Sequence, residues 1–285
     1  MKYILKCINC GFLFQEARKL DFSCPKGCDS LVKSVYSTNR ITFKGFQGIW
    51  RYSDWLPLEK TIPYDGGSVT YKSKWLAEEL GLNNLYISFS GFWPEVSAWV
   101  KTCTFKEFEA VLTVNYAKEN GVDSLIIASA GNTASAFAYL ASMEKIKVIL
   151  TVPEKAVEDM IVPYANEEYV KIVGVKGEFS DAISLAKKIH SSRGIPFDGG
   201  GKSVPRRDGL GTVLLESVEK IRRIPRHYFQ AVSSGTGAIA TFEVAERLLN
   251  DGRFGETLPK LHLSQNYPFL PIVRAWKDRR REIVE

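Results

Sequence analysis

From residue 121 onward the chain alternates short apolar runs with segments of helical periodicity, and this alternation limits its fold more than any other feature. Residues 124–128 (S-L-I-I-A) and 147–152 (K-V-I-L-T-V) are apolar runs of strand length, and 169–173 is a third. Between and after them, 133–143 is an alanine-rich helical stretch. Residues 180–191 place Ile183, Leu185, Ala186 and Ile189 on one helical face. A helix over 210–221, a strand over 228–232, a helix over 237–251 and a strand over 260–263 continue the pattern. Strands that alternate with helices predict parallel sheets with helical crossovers, an α/β architecture. Upstream, 70–80 reads as a helix ended by Gly81, the residue that best tolerates the left-handed stop, and 84–89 reads as a strand. The aromatic-rich stretch 37–63, with Phe43, Phe46, Trp50, Tyr52 and Trp55, reads as a packed connector.

Composition narrows the classes. With 285 residues, 45% of them hydrophobic, the chain can bury a core of about two domains. Its 38 Lys and Arg against 32 Asp and Glu are spread along the sequence. No basic block interleaved with aromatics points to nucleic acid. No apolar run approaches the ~18 residues that span a bilayer, and the apolar start is too short for a secretory signal, so the expectation is a cytoplasmic protein without a membrane partner. Four of the five cysteines form two close pairs, Cys7 with Cys10 and Cys24 with Cys28. Such pairs can offer four thiolates to one tetrahedral Zn²⁺, with Gly11 and Gly27 easing the turns around the sulfurs. Residues 1–34 therefore predict a ribbon-like head with a structural zinc and no open catalytic position. Iron, or a metal-free apolar knuckle, fits the same spacing.

Two loops have the composition to bind anions. Ser129-Ala130-Gly131-Asn132-Thr133 and Ser233-Ser234-Gly235-Thr236-Gly237-Ala238 each lie between a predicted strand and a predicted helix. Ligands of parallel sheets sit at the carboxyl ends of strands beside helix N-termini. There, small residues let backbone N–H groups converge on an anion. Upstream, Thr102-Cys103-Thr104-Phe105-Lys106-Glu107 opens a helix with Phe108, Val111, Leu112 and Tyr116 on one face. A lysine at such a helix start, near an anion cradle and apolar walls, can lose its proton and form an imine. Lys101 is its one nearby rival. Arg206 and Arg207 precede a further small-residue stretch and read either as an oxyanion fork or as an exposed basic turn.

Together the series T-F-K-E, S-A-G-N-T and S-G-T-G resembles the fold-type II pyridoxal-phosphate (PLP) enzymes. Residues 85–94, 101–110, 228–237, 251–255 and 263–269 (L-S-Q-N-Y-P-F) are similar to the cysteate synthase and threonine synthase family. That resemblance implies a tryptophan-synthase-β-like fold of two parallel-sheet domains behind the four-cysteine head, which is itself similar to the N-terminus of some threonine synthases. The large domain would hold 35–110 and 195–285, and a smaller α/β domain 111–194. It implies Lys106 as the Schiff-base lysine and Asn132 as the partner of the ring hydroxyl. Ser129, Ala130, Gly131 and Thr133 would line the substrate carboxylate. Ser234, Gly235, Thr236, Gly237 and Ala238 would cradle the cofactor phosphate. The implied reaction is β-replacement on O-phosphoserine by sulfite, giving cysteate and phosphate. The alternatives are a threonine synthase acting on O-phosphohomoserine and a non-catalytic paralogue that binds a partner.

The chain departs from the family pattern at Ala134-Ser135, where Gly-Arg is expected, at Ala238 in place of glycine, and at Glu95-Val96-Ser97 in place of Glu-Lys-Gly. Family members also continue past the equivalent of Glu285. The resemblance thus implies a truncated chain, a completing C-terminal polypeptide or a degenerate relative. A homo-oligomer is a further expectation.

Overall fold

The computed structural model describes residues 2–15, 20–267 and 270–283. Pro268 and Phe269, which end the L-S-Q-N-Y-P-F motif, lie outside the described residues, as do Met1 and Glu285.

The head is a three-stranded antiparallel sheet, β1 (Tyr3–Cys7), β2 (Leu13–Phe14) and β3 (Val32–Tyr36), in the order β2-β1-β3. Alternate residues Val32, Ser34 and Tyr36 turn inward, as the two-residue period of a strand requires. Leu5, Leu20, Phe22 and Val32 join one continuous core with Phe108, Val111 and Leu112, so the head is welded to the body. The connector behaves as expected. Its 3-10 turns at Gly48–Trp55 bury Ile49, Trp50, Tyr52 and Trp55.

The helix expected over 70–80 is only half present. Residues Val69–Lys72 form β4, which pairs antiparallel with β5 (Tyr86–Phe89), and α1 is confined to Trp75–Glu79. Val69, Thr70 and Tyr71 are β-branched or aromatic and favour a half-buried pleat. The buried Glu216 carboxylate also takes the Thr70 N–H, removing it from any helical ladder. Gly81, with φ +63°, does provide the left-handed stop.

A short hairpin, β6 (Phe92–Trp93) and β7 (Ala98–Trp99), leads into α2 (Lys106–Glu119). The sequence predicts one buried face for α2, but every residue from Glu107 to Ala117 is buried. Then follow β8 (Ser124–Ala128), α3 (Asn132–Glu144), β9 (Lys147–Pro153), α4 (Glu154–Val157), β10 (Val170–Val175) and α5 (Phe179–Arg193). The strands form a parallel sheet in the order β10-β9-β8, and Phe197 bridges to Ile126 on the free side of β8. In α5 only Ala182 and Ala186 are buried, while Ile183, Leu185 and Ile189 are half-buried.

The last part comprises α6 (Val204–Ile221), β11 (His227–Ala231), α7 (Thr236–Asp251), β12 (Lys260–Ser264) and α8 (Pro271–Lys277). β11 and β12 pair in parallel. α6 starts six residues before the position its apolar periodicity suggests, with Pro205 in its first turn, where a missing N–H costs nothing. Two of its glycines set the packing around the site. A Cβ on Gly209 would lie 2.1 Å from the Phe108 carbonyl oxygen, and one on Gly211 would lie 2.5 Å from a Val244 methyl. Backbone contact between α6 and α2 is thus possible only without a side chain at 209. Among the described residues no helix is long and apolar enough to cross a membrane.

Candidate functional site

Lys106 is the first residue of α2, and Thr104 Oγ1 accepts from its backbone N–H at 3.4 Å. The side chain lies over the Phe105 ring, 5.0 Å from Nζ to centroid, and reaches Glu109 Oε2 at 3.4 Å. Lys101, its rival, projects elsewhere and lies over the Phe92 and Trp99 rings.

Glu109 has no exposure to solvent. A bare carboxylate there would be heavily penalised, so its partners decide its state. Oε1 accepts from Thr133 Oγ1 at 2.7 Å and from Arg206 Nη1 at 3.2 Å, while Oε2 faces Lys106. Burial pushes the Glu109 carboxyl up, but Lys106, Arg206 and Thr133 outweigh it and hold it below the usual carboxylate range. Arg206 continues the chain of charges to Asp198, with Nε 2.5 Å from Oδ2, and stacks over Phe137. Burial keeps the Asp198 carboxyl above its ordinary range despite that guanidinium. On the other side of α2, Glu107 accepts from Thr102 N–H and from Tyr64 Oη, clamping the loop that precedes Lys106.

These partners correct the reading of Arg206 and Arg207 as an oxyanion fork or an exposed turn. Both are buried. Arg207 binds Glu243 through Nε and donates to the carbonyls of Gly201 and Val32. The adjacent Asp208 accepts from Ser34, Tyr36 and Arg247. One turn of α6 thus ties the site, α7 and the head together. The sequence signal for Glu109 was a second carboxylate inside an otherwise apolar helix, and it was missed because a lone helical glutamate usually faces solvent.

The 129–133 loop is built by Ser129. Its buried hydroxyl accepts from the N–H groups of Gly131 and Ala134. Gly131 has φ +133° and lets the chain enter α3 sharply. The first N–H groups of α3, at Asn132 and Thr133, have no intrahelical acceptor. Ala130 and Asn132 are exposed and Thr133 is half-buried, its hydroxyl already committed to Glu109. The structure therefore brings Lys106 and Thr133 onto one carboxylate.

The 233–238 loop makes the N-terminus of α7. Gly235, with φ +79°, precedes Thr236, and Ser234 Oγ lies 2.9 Å from Thr236 Oγ1. Gly237 is needed for packing, since a Cβ there would meet the Gln230 amide at 2.7 Å. A Cβ on Gly201, just before α6, would lie 3.2 Å from Thr236 Oγ1. The two loops thus flank the segment 198–206 that carries Asp198 and Arg206.

In the head, the ligand atoms of Cys7, Cys10, Cys24 and Cys28 lie within 4.8 Å of one another, with Cys10 and Cys24 Sγ 3.7 Å apart. A tetrahedron with Zn–S bonds of about 2.3 Å separates its sulfurs by about 3.8 Å, so the four thiols fit such a centre. The Cys10 amide and neighbouring thiols pull Cys7 down to about 7, while hydrogen bonds shared with Cys10 and Cys24 push Cys28 up to about 12. All five cysteines are free thiols.

The profile of the family described as pyridoxal-phosphate dependent enzyme matches residues 66–285. The chain is 48% identical over 285 residues to cysteate synthase of Methanoculleus marisnigri, covering 99% of this chain and 65% of that protein. It is 43% identical over 282 residues to cysteate synthase of Methanosarcina barkeri, covering 98% and 67%. It spans about two thirds of the length of these curated relatives. Among solved structures it is similar in fold to maize serine racemase (TM-score 0.60, 16% identity, 76% of this chain and 61% of that one). It is likewise similar to threonine deaminase isoform 2 of Solanum lycopersicum (TM-score 0.59, 15% identity, 87% and 66%). These likenesses agree with the fold-type II architecture expected from sequence.

Proposed function

We propose that this chain, which belongs to the pyridoxal-phosphate-dependent enzyme family, takes part in replacing the phosphate of O-phosphoserine by sulfite, giving cysteate and inorganic phosphate. The observation that carries this reading is the likeness, over almost the whole chain, to the Methanoculleus and Methanosarcina cysteate synthases. Four paired cysteines read as metal ligands rather than as a disulfide framework accord with a cytoplasmic setting.

The residues present fit the cofactor. A half-buried lysine amine beside an aromatic ring and two helix N-termini with unsatisfied amides form the donor set that an aldehyde with an anionic tail requires. In this reading Lys106 Nζ would hold the cofactor, and its amine would be the base for the proton on the substrate's α-carbon. Asn132, exposed at the start of α3, would bond the ring hydroxyl. Ser129, Ala130, Gly131 and Thr133 would line the substrate carboxylate, with the Thr133 N–H free of any intrahelical acceptor to meet it. Ser234, Gly235, Thr236, Gly237 and Ala238 seat the cofactor phosphate at the start of α7. Pyridoxal phosphate supplies, when bound, the electron sink for charge that develops at the α-carbon. The four cysteines hold a structural Zn²⁺ that keeps the head folded against α2 and α6, and metal analysis of the purified protein tests that assignment.

The activity test is a product assay on the purified chain with PLP. Cysteate and phosphate should form from O-phosphoserine and sulfite. Threonine formed from O-phosphohomoserine and water, with no cysteate in the parallel reaction, would overturn the assignment.

A further inference from the structure

We propose that Glu109 is a positioning residue that fixes the amine of Lys106 against the 129–133 loop. The inference rests on Lys106 being the cofactor lysine. It assigns the site a part that neither the loops nor the lysine provide.

Oε1 of Glu109 already accepts from two donors, Thr133 Oγ1 at 2.7 Å and Arg206 Nη1 at 3.2 Å. Oε2 is therefore the atom left for Lys106, and Nζ lies 3.4 Å from it. Three elements meet on this one carboxylate: α2 through Lys106, α3 through Thr133 and α6 through Arg206. Gly209 permits the backbone contact between α6 and α2 that brings Arg206 within reach. The charges also balance, with Lys106 and Arg206 against Glu109 and Asp198. Lys106 and Glu109 lie three residues apart on one face of α2, which brings the amine to the oxygen that Thr133 and Arg206 leave open.

Glu109→Gln separates the two roles. The amide oxygen must stay with the donors Thr133 and Arg206, so the NH₂ group is forced to face the Lys106 ammonium, donor against donor. The lysine should be released while side-chain volume and the Arg206 contact are kept.

The readout is the acetylation rate of Lys106 in the full chain without cofactor, at fixed pH, mapped by mass spectrometry with Lys101 as internal standard. Wild-type Lys106 should be protected. In E109Q its rate should rise about ten-fold, the scale of losing one hydrogen bond between charged groups. Glu109→Asp, which keeps the charge, should recover part of the protection. If E109Q does not fold, Thr133→Val serves in its place, since it loosens only the Oε1 anchor and should raise the rate by a smaller factor. Protection that stays unchanged in a folded E109Q or T133V protein overturns the proposal, as does a wild-type Lys106 that labels as fast as exposed lysines. Borohydride trapping of PLP on the wild-type chain reports separately on the underlying reading. A label on Lys101 there would reject Lys106 as the cofactor lysine and leave the acetylation result standing as a fact about Glu109.

Discussion

The two anion loops sit on very different foundations. The 129–133 loop and Lys106 rest on α2, which is buried along its length, and on a carboxylate with no solvent exposure that three elements share. The 233–238 loop rests on β11 and β12, a two-stranded sheet on which Phe229 is 71% exposed and stacks on His262 at 4.3 Å. Of this pair, Tyr228 packs against the core of α6 and α7. The proposed cofactor lysine is thus held by interior charge, whereas the proposed phosphate seat is fixed mainly by glycine turns and the start of one helix.

The sharpest way to break that comparison is Arg206→Leu. It leaves Glu109 and Asp198 without their shared buried cation, and truncating one member of such a cluster costs about 3–5 kcal/mol. Urea denaturation should show that loss. A change under about 1 kcal/mol would mean that the lysine half is not held by interior charge.

Acid provides the next test. The carboxyl of Glu109 lies below its ordinary 4.5 in the folded protein, so its ionisation stabilises the fold above that pH. The contribution is lost as the pH falls through the lower folded value. The stability difference between wild type and E109Q should therefore be widest near neutrality and close below about pH 4.5. Asp198, pushed up by burial and further by the Glu109 charge, acts in the opposite sense, less strongly in E109Q than in the wild type. A difference that grows on acidification would contradict the assigned charge state.

On the phosphate side the expected effects are smaller. Ser234→Ala removes one contact to Thr236 at an exposed position and should weaken PLP affinity by about 1 kcal/mol or less in a binding titration. Phe229→Ser should change stability by no more than about 0.5 kcal/mol, because the ring is already in solvent. Hydrogen exchange should find the amides of β11 and β12 opening well before those of α2.

The alternation from residue 121 made β8, β9, β10, α3, α5 and α7 legible to within a few residues, because periodicity reports burial of one face directly. It failed where burial was not one-sided. α2 is enclosed on all sides, so its apolar stripe gave no hint that Glu107 and Glu109 point inward. The start of α6 carries Arg206 and Arg207, which read as an oxyanion fork or an exposed turn because their carboxylate partners Glu109 and Glu243 lie far away in sequence. Residues 69–72 failed for a related reason. Their pairing with β5 and the bond from Thr70 to Glu216 are tertiary contacts that local propensity cannot supply. The small-residue loops were recognisable from composition, but the joining of the 129–133 loop to Lys106 through Thr133 and Glu109 was not.

Reductive trapping tests the central claim most directly. The chain is incubated with PLP, reduced with borohydride and mapped by peptide mass spectrometry. The phosphopyridoxyl label should fall on Lys106 and vanish in Lys106→Ala together with the visible absorbance. A label on Lys101, or one scattered over exposed lysines while Lys106 stays unmodified, would contradict the account.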